Sequence, residues 1–228
     1  MRVHVPTLIS ECKKSIKVNL VPGLILQSFA IALVVMYYNV ESVKLFCNGV
    51  ADLKTDYGYL FSGISTAVFG GLLPAFFMIY RGNIKKEFWI SHSLFFCLFW
   101  FYKGMEVDFL YRMQALMFGD ETDASTIIKK VAFDQFVYNF FYACASITIC
   151  YMWKDNGFSF RKTKKKIKRE TFTLTLPSVI VSTWIVWIPT TAIVYSLPSA
   201  LQVPLFNIVL CFFVLIISTL TENEKETL

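Results

Sequence analysis

The chain has 228 residues, 56% of them hydrophobic and only 17% charged, with a formal charge of +6 and a mean hydropathy of +0.55. Ordinary soluble domains carry about 25% charged residues, and their helices alternate apolar and polar faces. Here near-continuous apolar runs are separated by short charged links, which points to an all-α polytopic transmembrane helical bundle. The basic residues lie in the links, where membrane orientation needs them, and this argues against a nucleic-acid partner.

The whole of residues 1–228 reads as a single integral-membrane domain of about six spans, near residues 18–40, 58–80, 88–112, 131–153, 172–197 and 201–220. Each is measured against the roughly 20 apolar residues that cross about 30 Å of hydrocarbon. The start of the chain has no apolar core ending in a small-residue cleavage site, so no removable signal peptide is expected. In the first span Pro22 falls in the opening turn, where a missing N–H costs little. Asn19, Gly23 and Gln27 share a face at i+4 spacing and are expected to look inward. Residues 41–57 read as a link with both signs of charge.

The second span is a packing helix. Gly63, Ala67 and Gly71 form a small-xxx-small row, with Ser62, Thr66 and Gly70 in a second row beside it. Such rows let helix backbones approach closely where lipid supplies no hydrophobic drive. Pro74 removes the bond to the carbonyl of Gly70, so a kink or local opening is expected, serving either packing or a hinge. A tight basic turn follows at Arg81, Lys85 and Lys86.

The third segment is dense in Phe and Trp over residues 88–102 and then turns amphipathic. It reads as one helix that crosses and runs on into the interface, or else as a re-entrant segment. Asp108 and Arg112 are an i,i+4 pair on it. With Glu106 they read as a solvated face at headgroup level, the alternative being the mouth of a water-filled space.

The fourth segment carries the most informative polar residues. Asp134 and Gln135 lie one turn inside an apolar run, and on an α-helix Asp134, Tyr138 and Tyr142 fall at i, i+4 and i+8 with Asn139 alongside. Lipid tolerates such a stripe poorly, so it should face other helices or enclosed water. Two readings stay open. The stripe could line a pore and bias it toward cations, or Asp134 and Gln135 could only tie helices together, with Lys130, Arg112 or a helix N-terminus as partner of the acid.

Eight Lys or Arg follow between Lys154 and Arg169 with almost no acids. This is the composition of an inner loop, and the stretch from Arg161 to Arg169 is placed to touch anionic lipid. The fifth span holds Pro177, Pro189 and Pro198, with Pro189 as a kink. Ser178, Ser182, Thr183, Thr190 and Thr191 are near enough to satisfy freed carbonyls. Trp184 and Trp187 could anchor at an interface, though their mid-segment position suggests packing. The sixth span holds Pro204 and Asn207 early. With the N-terminus inside, the inner segments hold 16 of the 22 Lys and Arg, which puts both termini on the cytoplasmic or matrix side.

The six cysteines and two histidines form no metal spacing, and no serine–histidine–acid set or paired intramembrane carboxylates appear. A catalytic role, a metal and a cofactor are therefore not expected.

The stretch KKVAFDQFVYN resembles the K-x-x-x-DQ element of the Mpv-seventeen / peroxisomal membrane protein twenty-two family, matched by Lys130 (or Lys129), Asp134 and Gln135. The C-terminal part is similar to that family's closing signature through Trp187, Pro189, Leu197, Pro198 and Ser218. Gly71, Pro74 and Tyr80 match its Gly-Pro…Trp-Tyr helix, whose His and Trp are absent here, while its GD-x-x-x-Q element is absent, Ile188 is inserted between Trp187 and Pro189, and about 30 residues around 88–120 are extra. The resemblance implies a small multi-pass protein with a pore or metabolite-flux role. It further implies a bacterial cell membrane or a mitochondrial inner membrane as the setting.

Overall fold

The computed structural model describes residues 5–226, so Arg2 and His4 lie outside the described residues; the side chains of Lys14, Ser218 and Lys225 are likewise not described. Among the described residues there is no strand. The helices, in chain order, are α1 (Val5–Asn39), α2 (Glu41–Thr66), α3 (Leu73–Tyr80), α4 (Trp89–Phe118), α5 (Ala124–Phe133), α6 (Cys144–Asp155), α7 (Phe160–Lys166), α8 (Leu176–Tyr195) and α9 (Ser199–Glu226). Three π-helical stretches interrupt this series at Ala67–Leu72, Asp134–Ala143 and Thr171–Thr175.

Among the described residues five helical runs are long and apolar enough to cross a membrane: Ile16–Asn39, Glu41–Tyr80, Ala124–Asp155, Thr171–Tyr195 and Ser199–Ile216. The third expected span is absent from this set. Helix α4 is unbroken over 30 residues, about 45 Å at 1.5 Å per residue, so length is not its shortfall. Its second half carries Lys103, Glu106, Asp108 and Arg112, which dilute its hydropathy.

Two expectations about helix ends need correction. Helix α1 starts at Val5, so Pro22 sits deep inside it and not in its first turn. Glu11, Lys13, Lys14 and Lys17 are good helix formers, and they extend the helix upstream of the apolar run. Residues 41–57, expected as a link, are themselves helical, and the only non-helical residue inside α2 is Gly58 (φ 51, ψ −124). Positive φ is accessible to glycine at little cost, so the chain bends there without losing its neighbours.

Proline placement accounts for two of the π stretches. Pro74 cannot donate to Gly70, and Ala67–Leu72 opens to a wider turn immediately before it. Thr171–Thr175 opens in the same way before Pro177, where the Ser178 hydroxyl donates to the carbonyl of Leu174 (2.9 Å).

The chain divides into two compact units, one joining Met1–Leu24 to Val131–Pro189, the other joining Ile25–Lys130 to Thr190–Leu228. In the second unit the small-residue row does what its spacing implies. A Cβ on Gly63 would come 2.8 Å from the Phe101 ring, and one on Gly71 would come 2.7 Å from the carbonyl oxygen of Phe96, so α2 and its π stretch lie directly against α4. Ala67 is buried in the same row. The tightest approach uses Gly104 of α4, which presses on the Ser62 carbonyl and the Thr66 side chain. Helix α9 joins them through Asn207, whose amide oxygen accepts from Thr66 (2.7 Å) and whose nitrogen donates to Ser65 (2.9 Å).

Candidate functional site

Helix α4 buries Phe95, Phe96, Trp100, Val107, Leu110 and Tyr111, and with them several charged and amide side chains, while large apolar residues stay exposed. Its outer positions are mostly apolar, with Ile90 84% and Leu116 89% exposed and Leu94, Leu98 and Phe109 also exposed, and Arg112 (side chain 48% exposed) is the charged residue among them. Its inner positions include Lys103, Asp108 and Gln114, all buried.

Asp108 is the centre of this inner set. Its carboxylate, 3% exposed, accepts from Lys54 Nζ at 2.8 Å to both oxygens and from Ser62 Oγ at 2.8 Å. Arg112 adds Nε at 3.0 Å and Nη2 at 3.5 Å. The i,i+4 pair read from the sequence is therefore present, but Asp108 does not lie on a solvated face. Three donors arriving from α2 and α4 draw the acid inward, because a buried carboxylate is tolerated only when its lone pairs are satisfied. Lys54 is equally buried, while the Arg112 side chain is 48% exposed and lies 4.6 Å from the centroid of the Tyr59 ring. Beside this cluster opens a cavity of about 760 Å³, walled by α2, α4 and the first residues of α9. Glu106, expected to stand with Asp108 and Arg112, instead pairs with Lys103 at 2.7 Å.

The fourth segment folds differently from the stripe expected of it. Asp134–Ala143 is π-helical, so neighbours on one face are separated by i→i+5 steps as well as i+4. Asp134 and Gln135 are buried as expected, Tyr138 and Asn139 are half-buried, and Tyr142 is exposed. The widened turn carries Tyr142 off the Asp134 face. The polar line that forms runs instead from Asp134 through Gln135 to Asn139 and Cys144. Gln135 Nε2 donates to Asp134 Oδ1 (2.7 Å), and Asn139 Nδ2 donates to Gln135 Oε1 (3.2 Å) and Thr183 Oγ1 (3.3 Å). The Cys144 thiol donates to Asn139 Oδ1 (3.0 Å).

Trp184 completes this unit in a way the sequence did not reveal. Its indole N–H donates to the carbonyl of Gln135 (3.1 Å), and its ring packs on Phe136 and Phe140. Asn19 of α1 reaches Ser182 of α8 at 3.3 Å. Side chains from three helices are thus tied by hydrogen bonds in a largely apolar setting.

The other predicted positions fall as follows. Lys130 is buried, 3.7 Å from Asp120 and 5.9 Å from the centroid of the Tyr195 ring. Pro74 closes the first π stretch, Pro189 lies inside α8, and Trp187 is half-buried on the same helix. Pro198 sits in the turn before α9. The basic residues from Arg161 to Arg169 are exposed around the short α7, whose Ser159 cap accepts from the amide of Lys162. Among the described residues no group of three or more His, Cys, Asp or Glu could hold a metal ion. Comparison with protein-family models, with curated proteins and with solved structures returns no match to this chain.

Proposed function

We propose that this chain is a multi-pass integral membrane protein that lets small solutes pass, with the cavity beside Lys54, Asp108 and Arg112 as part of their route. The observation that carries this reading is a buried charge cluster, Lys54 and Asp108 with Arg112 at its edge, beside a cavity of solute size in a chain with several membrane-length apolar helices. Ionisable groups are expensive inside a bilayer and, where kept, tend to mark substrate or ion pathways. The likeness of Lys130, Asp134 and Gln135 to the Mpv-seventeen / peroxisomal membrane protein twenty-two element points the same way. The reading takes α4 as a sixth crossing and, from the distribution of Lys and Arg, both termini on the cytoplasmic or matrix side of a bacterial or mitochondrial inner membrane. The bilayer, with anionic lipid near Arg161 to Arg169, is then its principal partner. No catalytic role is assigned.

The helix-tying reading applies to Asp134 and Gln135. One oxygen of the acid accepts from the adjacent amide, and the line continues to Thr183 of another helix. A residue committed to neighbours in this way holds helices together.

The test is release of a size- and charge-graded panel of solutes from liposomes holding the purified protein. Protein-dependent release that Ala200→Trp, which fills the cavity, reduces and Asp134→Asn leaves intact is the expected outcome. Release identical to that of empty liposomes refutes the reading.

A further inference from the structure

The permeation reading leaves open which solutes the cavity takes, and its wall chemistry answers that. Its ionisable wall residues with fixed charge are Lys54, Arg112 and Asp108, one acid against two bases. Asp108 is fully engaged, whereas Arg112 is not. Its Nε and Nη2 go to Asp108, its face lies over Tyr59, and Nη1 makes no hydrogen bond among the described residues. The guanidinium is thus held on two sides, by the Asp108 carboxylate and the Tyr59 ring, with the Nη1 donors left over. A fork fixed in this way binds a carboxylate or phosphate with little further ordering cost. Ser199 and Ala200 line the same cavity. They open α9, so their amides have no intrahelical acceptor and sit at the positive end of the helix, which adds to the attraction without creating it.

We infer that the cavity beside Arg112 binds a small oxyanion, a phosphate or carboxylate, on the free edge of that guanidinium. Phe109 and Leu116 at its exposed rim are apolar, so the same group could arrive as a free solute or as the headgroup of a short anionic lipid. The inference deepens the permeation reading and is tested by equilibrium binding, so the two can fail separately. Flux without anion binding overturns this inference alone; binding without flux overturns only the permeation reading.

The experiment uses the full chain in detergent and follows thermal stability against inorganic phosphate, succinate, dihexanoyl phosphatidic acid and, as neutral control, dihexanoyl phosphatidylcholine. Stabilisation by phosphate or succinate assigns a free solute, and stabilisation by phosphatidic acid alone assigns a headgroup. In either case Arg112→Gln weakens apparent affinity by about tenfold or more, as the loss of a charge-assisted bond requires. Ala200→Trp, which alters no charge, abolishes binding by filling the space. No stabilisation by any of the three anions overturns the inference. So does a shift equal to that of the neutral lipid, or one retained in both variants.

Discussion

Removing the Asp108 carboxylate tests whether the cluster in the second unit is the buried ion pair described above. In Asp108→Leu the Lys54 ammonium, itself 6% exposed, loses both of its 2.8 Å contacts with the acid and keeps only the adjoining cavity beside it. Breaking one side of a buried pair costs about 3–5 kcal/mol, because a charge is left behind uncompensated. That is a large part of the 5–15 kcal/mol that holds a typical domain together. Ser62 loses little, since its hydroxyl also reaches the carbonyl of Gly58. Arg112 loses little too, because it is half-exposed. In the double variant Lys54→Met with Asp108→Leu, no charge is stranded, and replacing a buried pair by apolar groups of similar volume is often neutral or favourable. The expected pattern is therefore a single variant destabilised by about 3–5 kcal/mol and a double variant restored to within about 1 kcal/mol of the parent. Reversible unfolding in mixed micelles measures all members of the cycle. If the double variant is as damaged as Asp108→Leu, the loss comes from shape and not from charge, and the reasoning fails.

The remaining predictions concern packing, pH and topology. Gly71→Ala drives a methyl into the Phe96 carbonyl and Gly104→Ala drives one into the Ser62 carbonyl, each costing about 1–3 kcal/mol, whereas Gly49→Ala meets open space and stabilises by about 0.5–1 kcal/mol; the same unfolding assay shows the opposite signs. Asp123 caps α5, and hydrogen bonds from Thr126 and then the Ser125 amide hold its carboxyl below the usual carboxylate range. A depressed value means the cap's contribution is present above the unfolded carboxylate value of about 4 and is lost as pH falls below it. Hydrogen-exchange protection at Thr126 should drop there in the parent but stay level in Asp123→Asn, which still caps without titrating. Impermeant-label mapping should find both chain ends on one face of the membrane if α4 crosses, and on opposite faces if only the five apolar runs do.

Much of this was legible from residues alone, for identifiable reasons. Apolar runs announce membrane-length helices whatever their partners, and i,i+4 spacing brings Arg112 to Asp108 on any regular helix. The row of Gly63, Ala67 and Gly71 and the opening before Pro74 follow from side-chain size and a missing N–H. What periodicity could not supply was contact between helices. Lys54 lies 54 positions before Asp108, in a stretch that reads as a link, and nothing local marks it as the acid's partner. Gly104 stood in an amphipathic segment and gave no sign that it was the closest approach to α2. The stripe at Asp134 was drawn at 3.6 residues per turn, and the wider turn realised there moved Tyr142 out and brought Asn139 into the line. The mid-segment place of Trp184 points to packing, and its ring packs on Phe136 and Phe140, but its bond to the Gln135 carbonyl, 49 positions away, follows from no local spacing.

The central claim is that α4 turns the face carrying Leu94, Leu98 and Phe109 to lipid while Lys103 and Asp108 point inward. Spin labels placed singly at Leu94, Leu98 and Phe109, in a background with the six native cysteines replaced, measure this directly in bilayers. The account predicts high collision rates with oxygen and low rates with a water-soluble nickel chelate at all three positions, with the reverse for a label at Asp120. Chelate access at Leu94, Leu98 and Phe109 equal to that at Asp120 would contradict it.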